Sequence, residues 1–122
     1  MADDAYALFQ KGQDLLARGH AHQAVIPLEH ARDLEPQKAS IRETLARAYY
    51  RSGRTSSAQE EFAAVLEIDP VNDYAHFGLA LCHERLGELN LARRHAKLAV
   101  AMRPDEANYR EALDRIAPEA TA

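Results

Sequence analysis

Three prolines, Pro36, Pro70 and Pro104, stand at equal intervals, closing the stretches DLEP, EIDP and AMRP. A proline inside a helix removes a backbone hydrogen bond, and it pushes the residue before it out of the α region. Each one therefore marks the end of a segment. Sliding the chain on itself by that same interval aligns Gly19, Gly53 and Gly87, then Ala24, Ala58 and Ala92, then Ala31, Val65 and Ala99. Leu34, Ile68 and Met102 share an apolar column, and Gly12, Ala46 and Ala80 a column of small residues. Such a register requires a stack of like units, because one short unit cannot bury its own apolar face.

Within a unit the pattern is helical. Ile41, Leu45, Ala48 and Tyr49 recur at helix-face spacing, SGRTSS interrupts, and Ala58, Phe62, Val65 and Leu66 resume the spacing. Ser56 with Gln59 three residues on has the form of a capping box, and Asn72 or Asp73 can cap the next helix. No alternating β-branched run marks a strand. Each unit is predicted as two antiparallel helices joined by a glycine-containing turn, over about 5–38, 39–72 and 73–106. Beyond them, Tyr109, Ala112, Leu113 and Ile116 fall at i, i+3, i+4 and i+7, which predicts a seventh helix over about 107–117. It is expected to cap the flank of the third unit that carries Leu98 and Met102. Residues 118–122 are expected as a disordered tail, and 1–117 as a single domain.

The composition narrows the functions available. Hydrophobic residues make up 47% and charged residues 28%, with a formal net charge of −4. That balance lacks the basic bias of a nucleic-acid or anionic-membrane binder. Arg93, Arg94, His95, Lys97 and Arg103 form a local basic cluster, expected to be a solvated outer face. The opening MADDAYALFQKG has no apolar run suited to a signal peptide, and nothing approaches the roughly 20 apolar residues of a membrane span. A single cysteine, Cys82, fits a reducing compartment, so a cytoplasmic protein is expected.

Chemistry-bearing patterns are missing. His20 and His22 lie in the first turn, and His76 and His83 are seven apart beside Cys82, but no CxxC, HxxxH or HExxH spacing occurs. His83 is expected to pack and Cys82 to be a small core residue. No GxSxG, Walker or GxGxxG sequence is present. The expectation is no catalytic residue, no metal, no cofactor and no enzyme activity.

These residues resemble the tetratricopeptide repeat, a helix–turn–helix unit with signature places for Trp, Leu, Gly, Tyr, Ala, Phe, Ala and Pro. The repeat length of that family equals the interval between the prolines here. The second unit matches at Leu45, Ala46, Tyr49, Ala58, Phe62 and Pro70. The third matches at Leu79, Ala80, Ala92, Ala99 and Pro104, and the first at Gly12, Ala24, Ala31 and Pro36. Departures are Leu8, Arg42 and His76 at the Trp place, Lys11 at the first Leu place, and His83 at the third Tyr place. The resemblance implies an all-α, right-handed α-solenoid of three repeats with a capping helix.

It also implies a concave groove lined by the first helix of each unit, binding a peptide segment or partner protein. The groove places are Tyr6, Phe9, Gln10 and Gln13, then Glu43, Thr44, Arg47, Tyr50 and Arg51, then Tyr74, Phe77, Gly78, Leu81 and Arg85. Aromatic residues and arginine dominate binding hot spots. Phe9 and Phe77 have the alternative of packing between helices, and Phe77 is otherwise expected to face Arg51. Glu43 and Arg47 are expected to pair at i, i+4. Gly78 either lets helices approach closely or opens a hollow. Family members that grip chaperone C-terminal carboxylates do so with lysine, asparagine and arginine. The corresponding places here hold Phe9, Gln13, Thr44, Tyr74 and Gly78, which argues against a chaperone-tail adaptor. The alternative to a peptide-binding adaptor is a homo-oligomerising scaffold.

Overall fold

Asp4 begins the first helix by accepting the Ala7 backbone N–H at 2.8 Å, a side-chain cap on an otherwise orphaned donor. From there the computed structural model, which describes residues 4–118, runs through seven α-helices with no strand among the described residues. They are α1 (Ala5–Ala17), α2 (Ala21–Leu34), α3 (Ala39–Arg51), α4 (Thr55–Ile68), α5 (Asp73–Arg85), α6 (Leu89–Met102) and α7 (Ala107–Ile116). Gly19, Gly53 and Gly87 sit at φ near +80 to +85° between the helices of each pair. A side chain there would be strained, which is why one register column is glycine throughout.

Two start signals divide. Asn72 caps α5 by accepting the Ala75 N–H at 2.8 Å. The capping box expected at Ser56 does not form: α4 starts at Thr55, and its N-cap Arg54 makes no side-chain cap bond. Ser56 is thus already inside the helix. Of the tail expected over 118–122, residues 119–122 lie outside the described residues.

Each helix packs on its sequence neighbours, and the first helices also meet as α1–α3, α3–α5 and α5–α7. That pattern is a one-dimensional stack of pairs, with the odd-numbered helices along one side. The main core joins Leu16, Leu28, Leu45, Tyr49, Phe62, Val65 and Leu79 across all three pairs. A second cluster of Ala80, Ala92, Ala96, Ala112 and Ile116 seats α7. Here the expected capping flank is corrected. Leu98 and Met102 remain 38% and 40% exposed, while α7 covers the inner faces of α5 and α6. No helix among the described residues is long and apolar enough to cross a membrane.

In the second and third repeats the departure at the Trp place is paired with a place on the second helix of the same repeat. In the second repeat, Glu61 is buried and accepts from Arg42 Nη1 at 2.9 Å and from Arg32 Nη1 at 2.7 Å. In the third, the same two places hold His76 and His95, in contact at 3.0 Å. In the first they hold Leu8 and Pro27. Glu61→Gln keeps the shape but leaves the part-buried Arg42 without a counter-charge and Arg32 with Asp33 alone. The expected loss is about 2–4 kcal/mol of stability, below the usual figure for a fully buried pair because both arginines keep some exposure. Urea unfolding should show a lower midpoint at unchanged slope. An unchanged midpoint would make the triad energetically idle.

Candidate functional site

The residues of α3 and α5 that turn away from the core enclose a hollow of about 190 Å³. Its lining is Arg47, Tyr50 and Arg51 from α3, Tyr74, Gly78 and Leu81 from α5, and Phe62 from α4. A second, open depression of about 250 Å³ lies between α1 and α3, lined by Gln13, Leu16, Ala17, Thr44 and Arg47. Arg47 lines both, so the two follow one another along the same side of the stack.

Gly78 shapes the first hollow, and both of its expected roles hold. A methyl group there would sit 2.4 Å from Phe62 Cζ, so the missing side chain admits the ring, which closes the hollow from α4. Tyr74 stands against Phe62 at 6.1 Å between centroids, a tilted aromatic contact. Burial pushes the Tyr74 phenol above its ordinary pKa, with Arg47 and Arg51 acting the other way. The hydroxyl therefore stays neutral.

Above this apolar floor stand two arginines. Neither Arg47 nor Arg51 belongs to any ion pair among the described residues. The expected Glu43–Arg47 pair is corrected: Glu43 instead accepts from Asn72 Nδ2 at 3.3 Å. Burial raises the Glu43 pKa despite that bond and the nearby Arg47 charge. The Arg47 Nε is buried without a partner, while Arg51 is exposed. An unpaired guanidinium beside aromatic surface can accept a carboxylate while apolar atoms settle on the rings.

The remaining residues expected in the groove scatter. Arg85 is tied down, its guanidinium 3.6 Å over the Tyr50 ring and donating to the Tyr50 carbonyl at 2.9 Å and Thr55 Oγ1 at 3.2 Å. Tyr6 is 69% exposed and bonded to Gln10 Nε2 at 2.7 Å, and it lines neither hollow. Phe9 is half-buried against Ala5, Ala31 and Ile41. Phe77 does not face Arg51. Its ring lies 4.8 Å from Tyr109 on α7 and 5.8 Å from Tyr74, so the packing alternative describes it. Gln13 lines only the second depression. Phe62 was legible as a core position but not as part of this hollow. The one available signal was the glycine in mid-helix at 78, a gap that some neighbouring side chain had to fill.

The basic cluster on α6 also divides. Arg103 pairs with Asp73 at 3.3 Å, and His95 turns inward, away from the solvated face expected for it. Among the described residues, no set of three or more histidine, cysteine or carboxylate side chains is arranged to hold a metal ion.

Comparison with known proteins gives this architecture its context. The TPR repeat-containing thioredoxin TTL4 of Arabidopsis thaliana is 30% identical over 105 residues, covering 86% of this chain and 15% of that protein. The tetratricopeptide repeat and J domain-containing co-chaperone DNJ1 of Fusarium oxysporum f. sp. lycopersici is 33% identical over 92 residues, covering 75% of this chain and 18% of that one. The chain thus spans less than a fifth of either relative's length. Among solved structures, the first TPR of Spaghetti (RPAP3) bound to the HSP90 peptide SRMEEVD superimposes with a TM-score of 0.90. It has 16% identity and covers 100% of this chain and 97% of that one. A model of the bacterial transcriptional activator domain matches residues 2–69. The tetratricopeptide-repeat model matches residues 43–107, more than half of a chain already built of three stacked helix pairs and a seventh helix, and this protein belongs to the tetratricopeptide-repeat family.

Proposed function

We propose that the chain is a protein-interaction module that receives a peptide segment in the hollow between α3 and α5. The ligand is a stretch presenting a carboxylate next to a large apolar side chain. One observation carries the reading: two arginines, outside any ion pair among the described residues, stand over a floor of Phe62, Tyr74, Gly78 and Leu81. Charge complementarity selects the carboxylate, and the rings take the apolar neighbour. The RPAP3 domain of like fold, bound to an HSP90 peptide, supports a peptide as occupant. The lysine–asparagine–arginine clamp is missing at Phe9, Gln13, Thr44, Tyr74 and Gly78, so the preferred segment differs from a chaperone tail. A cytoplasmic setting belongs to the same reading and is supported by the lone free cysteine, Cys82.

The test selects peptides from a displayed random library on the purified chain, then titrates them against variants. Arg51→Glu should weaken the selected peptides by about 1–3 kcal/mol, roughly five- to 150-fold in Kd. Its effect on folding should stay within about 0.5 kcal/mol, because the side chain is exposed. Arg94→Glu, on the outer face of α6, should leave binding unchanged. Equal affinities for wild type and Arg51→Glu, with Arg94→Glu the weak one, would move the surface to the opposite face. A library yielding no binder, from a chain that sediments as a concentration-dependent oligomer, would favour the self-assembling scaffold.

A further inference from the structure

The third repeat fills its paired column with titratable rings, and a third histidine joins them. His76 and His95 approach through their Nδ1 atoms at 3.0 Å, with centroids 5.3 Å apart. His83 stacks on His95 at 5.5 Å and 8° from parallel. His76 and His83 are two helical turns apart on α5, a rise of about 10.5 Å, so His95 of α6 lies between them. His76 and His83 are 8% and 6% exposed, and His95 is half-buried. The second repeat places a permanent ion pair in this column, Arg42 with Glu61, and the first places Leu8 and Pro27 there. In this column, only the third repeat carries groups that gain charge in mildly acidic solution.

We infer that the His76–His95 contact, with His83 stacked on His95, is an acid-sensitive latch that holds α6 against α5 while the His76 and His95 rings are neutral and releases it when they take up protons. An Nδ1–Nδ1 contact at 3.0 Å needs one donor and one acceptor. A neutral pair satisfies it, and two protonated rings present two donors and like charges. The charged neighbours of His95 offer no relief. From α5 it faces His76 and His83, and on its own helix Arg94 acts on it. The carboxylate at the latch, Glu88 in the α5–α6 turn, bonds His83 at 2.8 Å rather than His95. Gln59 of α4 reaches His83 at 3.4 Å and carries no charge. Burial first, then His76, His83 and Arg94, pushes His95 down to about 4. Burial also lowers His76, against the bond its ring donates to the Pro70 carbonyl.

The direction of the pH effect follows. The folded His76 and His95 rings take up protons below the ordinary histidine value of about 6.5, where the unfolded chain already holds them. The latch's contribution is therefore complete above about pH 6.5 and drains away as pH falls toward 4. Each proton held in excess by the unfolded chain shifts the equilibrium about tenfold per pH unit. Because α5 also carries Tyr74, Gly78 and Leu81, release would loosen one wall of the hollow. That consequence rests on the groove reading; the latch itself does not.

The experiment compares thermal melts of the full chain at pH 7.5 and 5.0 with those of a double variant, His76→Arg with His95→Glu, which installs the second repeat's own pair. Histidine ring titration and amide exchange by NMR on the wild type accompany the melts. The wild type should lose about 5 °C or more beyond the double variant on acidification. The His95 ring should titrate below pH 6 and the His76 ring below the ordinary histidine value, with exchange in α5 and α6 rising over the same range. Equal losses in both proteins would overturn the latch, and so would rings that titrate at 6.5 or above with unchanged exchange. If the double variant does not fold, the wild-type titration and exchange decide alone.

Discussion

Phe62→Ala is expected to cost about 3–5 kcal/mol of folding stability, among the largest losses available to one side chain in this protein. The ring is 2% exposed and belongs to the central cluster that joins the three repeats. It also occupies the place where Gly78 would carry a Cβ, so truncation opens the hollow downward into the core. Stability and ligand affinity should therefore fall together, unlike the Arg51→Glu case. The glycine makes the mechanism separable. In the wild type, Gly78→Ala gains about 1 kcal/mol in helix propensity but forces a methyl to 2.4 Å from the ring, and overpacking of that kind costs about 1–3 kcal/mol. It should be neutral to destabilising. In the Phe62→Ala background the obstruction is gone, and Gly78→Ala should stabilise by up to about 1 kcal/mol. A double-mutant cycle by urea unfolding measures this sign change. Additive effects, with Gly78→Ala behaving alike in both backgrounds, would show that the ring does not rest on the glycine.

Removing α7 by ending the chain at Glu106 should lower the melting temperature by roughly 10 °C or more. The helix buries Ala112 and Ile116 with Ala80 and Ala96, and Tyr109 beside the Phe77 ring, with Leu81 and Leu113 at the margin. Two polar ties accompany the packing: the Tyr109 hydroxyl donates to Asp73 Oδ2 at 2.6 Å, and Arg115 grips Glu84 at 2.6 and 2.7 Å. Full burial of one large apolar side chain stabilises by about 1.5–3 kcal/mol, so the packing outweighs an exposed ion pair worth about 0–1 kcal/mol. The truncated chain would present Phe77 and Leu81 to solvent and should self-associate in sedimentation experiments. Arg115→Ala in the full chain is the comparison and should move the melting temperature by no more than a few degrees. A truncated chain that melts unchanged and sediments as a monomer would remove α7 from the structural core.

The linear pattern already contained the architecture: all-helical, seven helices, two to a repeat with one left over. Those features follow from local rules. Pro36, Pro70 and Pro104 and the three positive-φ glycines punctuate the helices locally, although Pro27 stands inside α2, and the helical period sorts apolar side chains onto one face without reference to distant residues. The departures from the repeat pattern could be counted in the sequence, but not their meaning. Arg42 with Glu61 and His76 with His95 become partners only because the two helices of a repeat lie antiparallel and bring distant places together. The groove is likewise a tertiary product. Helical spacing put Tyr74, Phe77, Gly78 and Leu81 near one another on α5, yet a helix has two flanks. The neighbour on each flank sends Tyr74 toward Phe62 and Phe77 toward Tyr109. Arg85 could reach the ligand side or the Tyr50 ring, and contact with the ring and two oxygens holds it there. Period and punctuation determined which residues share a face; packing between helices far apart in the chain decided what each one touches.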